Sequence, residues 1–135
     1  MDARKLTDAL SVAPQLTVDD LAEVARLGFK TGINNRPDGE AQGQPSAAAL
    51  GAKARQLGLV YHYQPVVSGA MTEEDVIAFR QLLASAAQPV LAFCRSGTRC
   101  TNLWAFASAG ELGENDIIGA AARAGFDLSG LRGRL

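Results

Sequence analysis

Apolar and polar positions follow two rhythms along this chain: short apolar or β-branched runs, and longer stretches with an apolar stripe every three or four residues. Leu10-Ser11-Val12-Ala13 reads as a first strand. Thr17-Val18-Asp19-Asp20 then supplies an N-cap with acids in the first turn, and Leu21, Val24 and Leu27 continue as the stripe of a helix closed by Gly28. Phe29 to Ile33 predicts a second strand, followed by the turn-rich Asn34-Asn35-Arg36-Pro37-Asp38-Gly39-Glu40. Ser46 caps a helix to about Leu57, and Leu59 to Tyr63 is a third strand. Thr72-Glu73-Glu74-Asp75 opens a helix to about Ala86, with Val76, Phe79, Leu82 and Leu83 on one face. Val90-Leu91-Ala92-Phe93 is a fourth strand, short and wholly apolar, as in the buried centre of a parallel sheet. A helix from about Thr101 to Ala109, another from Asn115 towards Ala124, and a short C-terminal helix with a tail complete the pattern.

Strands alternating with helices predict an α/β fold, a mostly parallel sheet of four to five strands flanked by helices, forming one domain over residues 1–135. In such sheets ligands bind beyond the carboxyl ends of the strands. The loops after Ile33 and Phe93 lie there, with the loop after His62 as a third wall.

Composition narrows the function classes. The net charge is −1 and the basic residues are scattered, which leaves no footprint for nucleic acid or an anionic membrane. No apolar run approaches the roughly 18 residues of a bilayer span, and Met1-Asp2-Ala3-Arg4-Lys5 has no apolar stretch behind its charges, unlike a secretory signal. The default compartment is the cytoplasm, and a homo-oligomer stays open. Two cysteines and one histidine, without recurring ligand-pair spacing, predict no metal site. Nothing in the pattern asks for a cofactor.

The chemistry concentrates in Cys94-Arg95-Ser96-Gly97-Thr98-Arg99-Cys100-Thr101. A strand that runs into a Cys-initiated loop and then a helix wraps backbone N–H groups around one point, and the helix dipole adds to them. Cys94 at the base of that cradle is expected to be a thiolate nucleophile of lowered pKa. Gly97 lets the backbone curl, and Arg99 holds anionic oxygens through its planar fork. Cys100 has two readings: a small buried residue in the first helical turn, or a resolving thiol for Cys94. Asp38 is a candidate general acid, or the carboxylate that orients Arg99 or Arg36; with Glu40 it is the best acid near the predicted active face. Arg36 adds positive potential, and His62 is an accessory proton donor. Asn34 and Asn35 are expected to cap the turn. Tyr61 and Tyr63 alternate with His62 and so face the other side of the sheet.

These segments resemble the phosphatase-like domain of the beta-lactamase-hydrolase-like proteins. The likeness rests on Ile33 to Glu40, on His62-Tyr63-Gln64-Pro65-Val66, on Thr72 and Phe79, and on Cys94 to Arg99. It implies a cysteine-phosphatase-like fold similar to the dual-specificity phosphatases. Some members carry a metallo-hydrolase module of the persulfide dioxygenase type, which implies a link to sulfide metabolism. Two chemistries follow, on a small anionic substrate that is either a phosphate ester or a sulfane-sulfur donor. Tyrosine-phosphatase-type loops read Cys, five residues, Arg; here Cys100 takes that arginine's place, Arg99 comes one residue early, Thr101 keeps the following hydroxyl, and Gln64 to Gly69 contains no acid. Rhodanese-type sulfurtransferase loops read Cys, four residues, Arg, which Arg99 matches. The leading expectation is a cysteine-dependent phosphatase-like hydrolase. The alternatives are a sulfurtransferase that forms a Cys94 persulfide, and a non-catalytic anion-binding or redox-sensing module.

Overall fold

A computed structural model describes all of residues 1–135. Strands β1 (Arg4–Lys5), β2 (Leu10–Ala13), β3 (Thr31–Asn34), β4 (Val60–Tyr63) and β5 (Val90–Phe93) form one sheet in the order β1-β2-β5-β3-β4. β1 runs antiparallel to β2, and every other pairing is parallel. Around the sheet lie helices α1 (Asp20–Arg26), α2 (Ala47–Gln56), α3 (Glu73–Ser85), α4 (Thr98–Ser108) and α5 (Glu114–Arg123), with a 3-10 turn at Ser129–Leu131.

β5 is the central strand, and its alternation builds both faces of the core. Val90 and Ala92 join the larger apolar cluster with Phe79 of α3, Leu103 and Trp104 of α4, and Ile117 of α5. Leu91 and Phe93 join the smaller one with Leu21 and Val24 of α1 and Leu50 of α2. The result is a three-layer sandwich in which β5 is buried on both sides. Cys94 continues the same period and falls on the side of α4.

Local chemistry fixes the element ends. Thr72 and Asp75 form a reciprocal capping box: the Asp75 N–H donates to Thr72 Oγ1 at 3.1 Å, and the Thr72 N–H donates to the Asp75 carboxylate at 2.9 Å. Thr17 and Asp20 make the same exchange, so the expected cap forms, although the regular helix begins only at Asp20. Ser46 caps α2 as expected, accepting the Ala49 N–H at 3.1 Å.

Three boundaries differ from the sequence expectation. β1 carries no apolar alternation, because both of its residues are exposed on an edge, and its pairing alone defines it. β3 lies two residues later than Phe29 and extends through Asn34, since Lys30 already donates to the Pro89 carbonyl ahead of the ladder. α4 begins at Thr98 rather than near Thr101. Gly97 takes φ +89° at the N-cap, which shortens the loop to Cys94–Gly97 and places Thr98, Arg99 and Cys100 in the first helical turn.

Candidate active site

β5 delivers Cys94 at its carboxyl end, where the Cys94 N–H donates to the Ala13 carbonyl at 3.4 Å. The chain then turns back over its own sulfur, and the Gly97 N–H donates to Cys94 Sγ at 3.1 Å. A side chain at position 97 would be strained by the φ of +89° and tight, its Cβ 3.1 Å from Phe126 Cζ. The Gln15 N–H holds the Arg95 carbonyl at 3.2 Å, tying the loop to the segment after β2. Ser96 Oγ donates to Thr98 Oγ1 at 3.1 Å, while Thr101 Oγ1 turns away from the sulfur and donates to the Gly97 carbonyl at 2.8 Å.

Cys94 is held well below an ordinary thiol, at about 6. The largest cause is hydrogen bonding from the Cys100 side chain; burial opposes it; the backbone N–H groups of Cys100, Ser96 and Gly97 add to the lowering. At neutral pH the sulfur is therefore mostly thiolate. Burial pushes the Cys100 thiol up, so it stays a neutral donor beneath its neighbour. The Cys100 S–H donates to Asn35 Oδ1 at 3.2 Å in the structure, and the lowering of the Cys94 thiol marks the Cys94 sulfur as its competing acceptor. An ionised acceptor makes the stronger hydrogen bond, so the proton points to the thiolate, and Asn35 receives it when Cys94 is neutral. Both cysteines are free.

Arg99 is anchored from the side. Its Nη1 donates to Glu40 Oε2 at 3.1 Å and to the Val66 carbonyl at 3.0 Å, and its Nη2 donates to Glu40 Oε1 at 3.2 Å. Glu40 also accepts from Arg36 Nε at 2.8 Å, and Arg36 Nη1 donates to Gln15 Oε1 at 3.1 Å. One carboxylate thus holds two guanidinium groups that are 5% and 9% exposed. Burial of Glu40 works against its charge, but the hydrogen bonds from Arg99 and Arg36 outweigh burial and hold its carboxyl below the usual range. Arg99 Nε is buried and has no protein partner. A cavity of about 160 Å³ opens here, walled by Cys94, Arg95, Ser96, Thr98 and Arg99 from the loop and helix and by Val67 to Gly69 opposite.

The predicted residues divide accordingly. Cys94, Arg95, Ser96, Thr98 and Arg99 line the cavity, Gly97 shapes it, Cys100 lies under the sulfur, and Arg36 stands behind Arg99 through Glu40. Asp38 pairs with neither arginine. Its Oδ1 accepts the Ala47 N–H at 2.8 Å at the start of α2, and its own N–H donates to the Tyr63 hydroxyl at 2.9 Å. The expected orienting role belongs to Glu40, which lies two residues further on, beyond Gly39. His62 sits on the edge strand β4 and does not line the cavity. Tyr61 and Tyr63 do turn to the other face, where their hydroxyls meet Asn34 and Asp38. Asn34 caps as expected, its Oδ1 accepting the Arg36 N–H at 2.9 Å. Asn35 goes beyond capping and braces three neighbours. Its N–H holds the Phe93 carbonyl, its Nδ2 holds the Gln64 carbonyl, and its Oδ1 is left facing Cys100. Asn102, one turn after Thr98 and on the cavity wall, had no signal in the sequence beyond its helical spacing.

A central parallel strand, a short loop closing over a cysteine and a helix starting inside that loop define a cysteine-phosphatase-like fold. Residues 2–111 match the family model described as beta-lactamase hydrolase-like protein, phosphatase-like domain, and the chain belongs to that family. It is 35% identical over 125 residues to the beta-lactamase hydrolase-like protein of Xylella fastidiosa, covering 91% of this chain and 29% of that one. To the Agrobacterium fabrum protein of the same description it is 37% identical over 130 residues, covering 95% and 30%. The chain thus spans less than a third of the length of these relatives. Among solved structures, a candidate phosphatase from Neisseria meningitidis superposes with a TM-score of 0.88 at 43% identity, covering 99% of this chain and 96% of that one. Tk-PTP in its active form shares the fold at 17% identity, with a TM-score of 0.74 and coverage of 96% and 89%.

Proposed function

We propose that the protein is a cysteine-dependent phosphatase-like hydrolase in which Cys94 is the nucleophile. One observation carries the reading: Cys94, its thiol lowered to about 6, shares the wall of a small cavity with Arg95 and with Arg99, whose guanidinium is locked by Glu40. A tetrahedral oxyanion placed over the sulfur sits against these two guanidinium groups and the positive end of α4. Cys94 Sγ attacks phosphorus, the bond to the leaving oxygen breaks with its electron pair, and water then displaces the thiolate from the thiophosphoryl intermediate and releases phosphate. Arg99 steadies the charge on the equatorial oxygens. The phosphatases among the structural neighbours support this reading at the level of fold.

No Asp, Glu or His lines the cavity. Leaving groups stable as anions, such as phenolates, are therefore favoured over alkoxides, which need a proton in the transition state. The same feature favours a second reading, sulfur transfer. Attack of the Cys94 thiolate on the outer sulfur of thiosulfate gives a Cys94 persulfide and releases sulfite, an anion that needs no acid; a thiol or cyanide acceptor then takes the sulfur. Assays with p-nitrophenyl phosphate, and separately with thiosulfate and cyanide, distinguish the two. Release of nitrophenol that Cys94→Ser abolishes supports the hydrolase, while thiocyanate formation without phosphate turnover replaces it with the sulfurtransferase. Failure of both, with sulfate still protecting Cys94 from alkylation, reduces the site to an anion-binding module.

A further inference from the structure

The cavity over Cys94 does not stop at its own rim. Gly69, Met71 and Asn102 on its wall also line a larger cavity, of about 660 Å³ against about 160 Å³. The larger one runs between α3, α4 and the C-terminal segment. On α4, Thr98, Asn102 and Phe106 are spaced by four and share one face. A path along that face from the Cys94 mouth to Phe106 covers roughly 12 Å at about 1.5 Å per residue. On α3, Val76, Ile77 and Arg80 form the facing stripe, and Ile77 stands 42% exposed there. The Arg134 guanidinium closes the third side, 6.0 Å from the centre of the Phe106 ring. The groove carries one net positive charge, from Arg80 and Arg134 against Glu73. Arg80 is occupied by the carbonyls of Ala107 and Phe106, and Glu73 and Arg134 have opposite signs. What the groove offers is apolar and aromatic surface, continuous with the site of chemistry.

We infer that this groove is a subsite for the body of the substrate, and that the substrate is an amphipathic oxyanion. Its tetrahedral anionic head sits over Cys94, and its aromatic or branched aliphatic body lies across Asn102 onto Phe106 and Ile77. The occupant is part of the substrate itself because the groove opens into the Cys94 cavity through three shared wall residues. The inference rests on the anion-cradle reading of the Cys94 loop, and applies equally to a phosphoryl or a sulfur-centred head.

Phosphonates test it without any turnover, since their carbon–phosphorus bond survives the thiolate. Occupancy is read as protection of Cys94 from iodoacetamide, followed by intact mass, with methyl-, phenyl- and biphenyl-4-ylphosphonate. Affinity is expected to rise about tenfold or more from the methyl to the biphenyl ligand as apolar surface is buried. Ile77→Asp, at an exposed position, is expected to abolish that gain while leaving methylphosphonate protection unchanged, and Phe106→Ala to reduce it. Equal protection by all three ligands, or a gain that survives both substitutions, overturns the subsite while the cradle stands. Protection by none of them overturns the cradle and the subsite together.

Discussion

Replacing Cys100 tests the electrostatics of the site most directly. The Cys94 thiol falls from 9.0 to about 6, and the hydrogen bond from the Cys100 side chain is the largest cause, against the opposing cost of burial. A shift of that size corresponds to about 4 kcal/mol between the two protonation states at about 1.4 kcal/mol per unit. A hydrogen bond to a charged acceptor contributes about 1.5–3 kcal/mol, or roughly one to two units of that lowering. Cys100→Ala removes the donor and leaves the backbone N–H groups in place, so the Cys94 midpoint is expected to rise to about 7–8. At pH 7 the thiolate fraction then drops from about nine-tenths to between about a half and a tenth. Cys100→Ser keeps a donor in the same position and is expected to stay near the wild-type midpoint. The assay is the iodoacetamide rate at Cys94 across pH 5–9, with a melting curve at each pH to confirm that the variants are folded. A folded Cys100→Ala protein with an unchanged midpoint refutes the reasoning and assigns the lowering to the backbone alone. Stability provides a second check on the sign. A depressed thiol contributes stability that is complete above its unfolded value and is lost as pH falls through about 6. The difference in Tm between wild type and Cys94→Ala is therefore expected to widen from pH 6 towards pH 9.

Glu40→Ala strips the carboxylate from two nearly buried guanidinium groups. It is expected to cost about 3 kcal/mol, a fall in Tm of roughly 10 °C, and to weaken sulfate protection of Cys94. The wild-type contribution of Glu40 is expected to disappear as acid titration passes below 4.5 and through its lowered folded value, seen as a smaller Tm gap between wild type and Glu40→Ala at low pH. Arg99→Lys keeps the charge but loses Nε and the fork; whichever turnover the protein shows is expected to fall about a hundredfold in kcat, with the Cys94 midpoint little changed. Gly97→Ala places a Cβ 3.1 Å from Phe126 at φ +89°, and is expected to cost about 1–3 kcal/mol in a chemical melt while slowing Cys94 alkylation. Thr72→Ala loses half of the α3 capping box, and about 1 kcal/mol is expected to go with it while the Cys94 midpoint stays put.

The layer architecture was legible because β5 and the helix stripes carry their periods openly. Val90 to Phe93 alternates between two cores, and Cys94 inherits the phase. Caps with side-chain partners, at Thr17, Ser46 and Thr72, were legible for the same reason: the donors and acceptors lie within three residues of each other. The choice between Asp38 and Glu40 was not. Both acids flank Gly39 at the same strand end, and only the fold of the turn decides which one meets Arg99, a residue 59 positions away. Asp38 was lost to a local contact, because the free N–H of Ala47 at the start of α2 is an equally good partner for a carboxylate. α4 starts three residues ahead of the sequence expectation because a glycine such as Gly97 serves equally as a loop bend or a helix cap, and the sequence does not distinguish them.

The early arginine changes how the site handles charge. Moving a side chain by one residue on a helix rotates it by about 100°. With arginine at position 99, the guanidinium leaves α4 towards Val66 and Glu40 at the side of the cavity, and position 100 turns inward beneath the sulfur. A neutral S–H and backbone N–H groups therefore lower the Cys94 thiol, and the Arg99 guanidinium is held by a carboxylate of its own. Such a thiolate is ionised at neutral pH without a cation paired against it. On the proposed reading, the attraction for an anion comes from the arginines of the cavity wall, Arg95 beside the sulfur and Arg99 held in place by Glu40. On that reading, nucleophile activation and anion binding are expected to rest on separate residues, Cys100 for the first and the Arg36–Glu40–Arg99 group for the second. Cys100→Ala is accordingly expected to shift the alkylation midpoint with little change in sulfate protection measured above that midpoint, and Glu40→Ala to do the reverse. Substitutions that each disturb both quantities equally would show that the two functions are one.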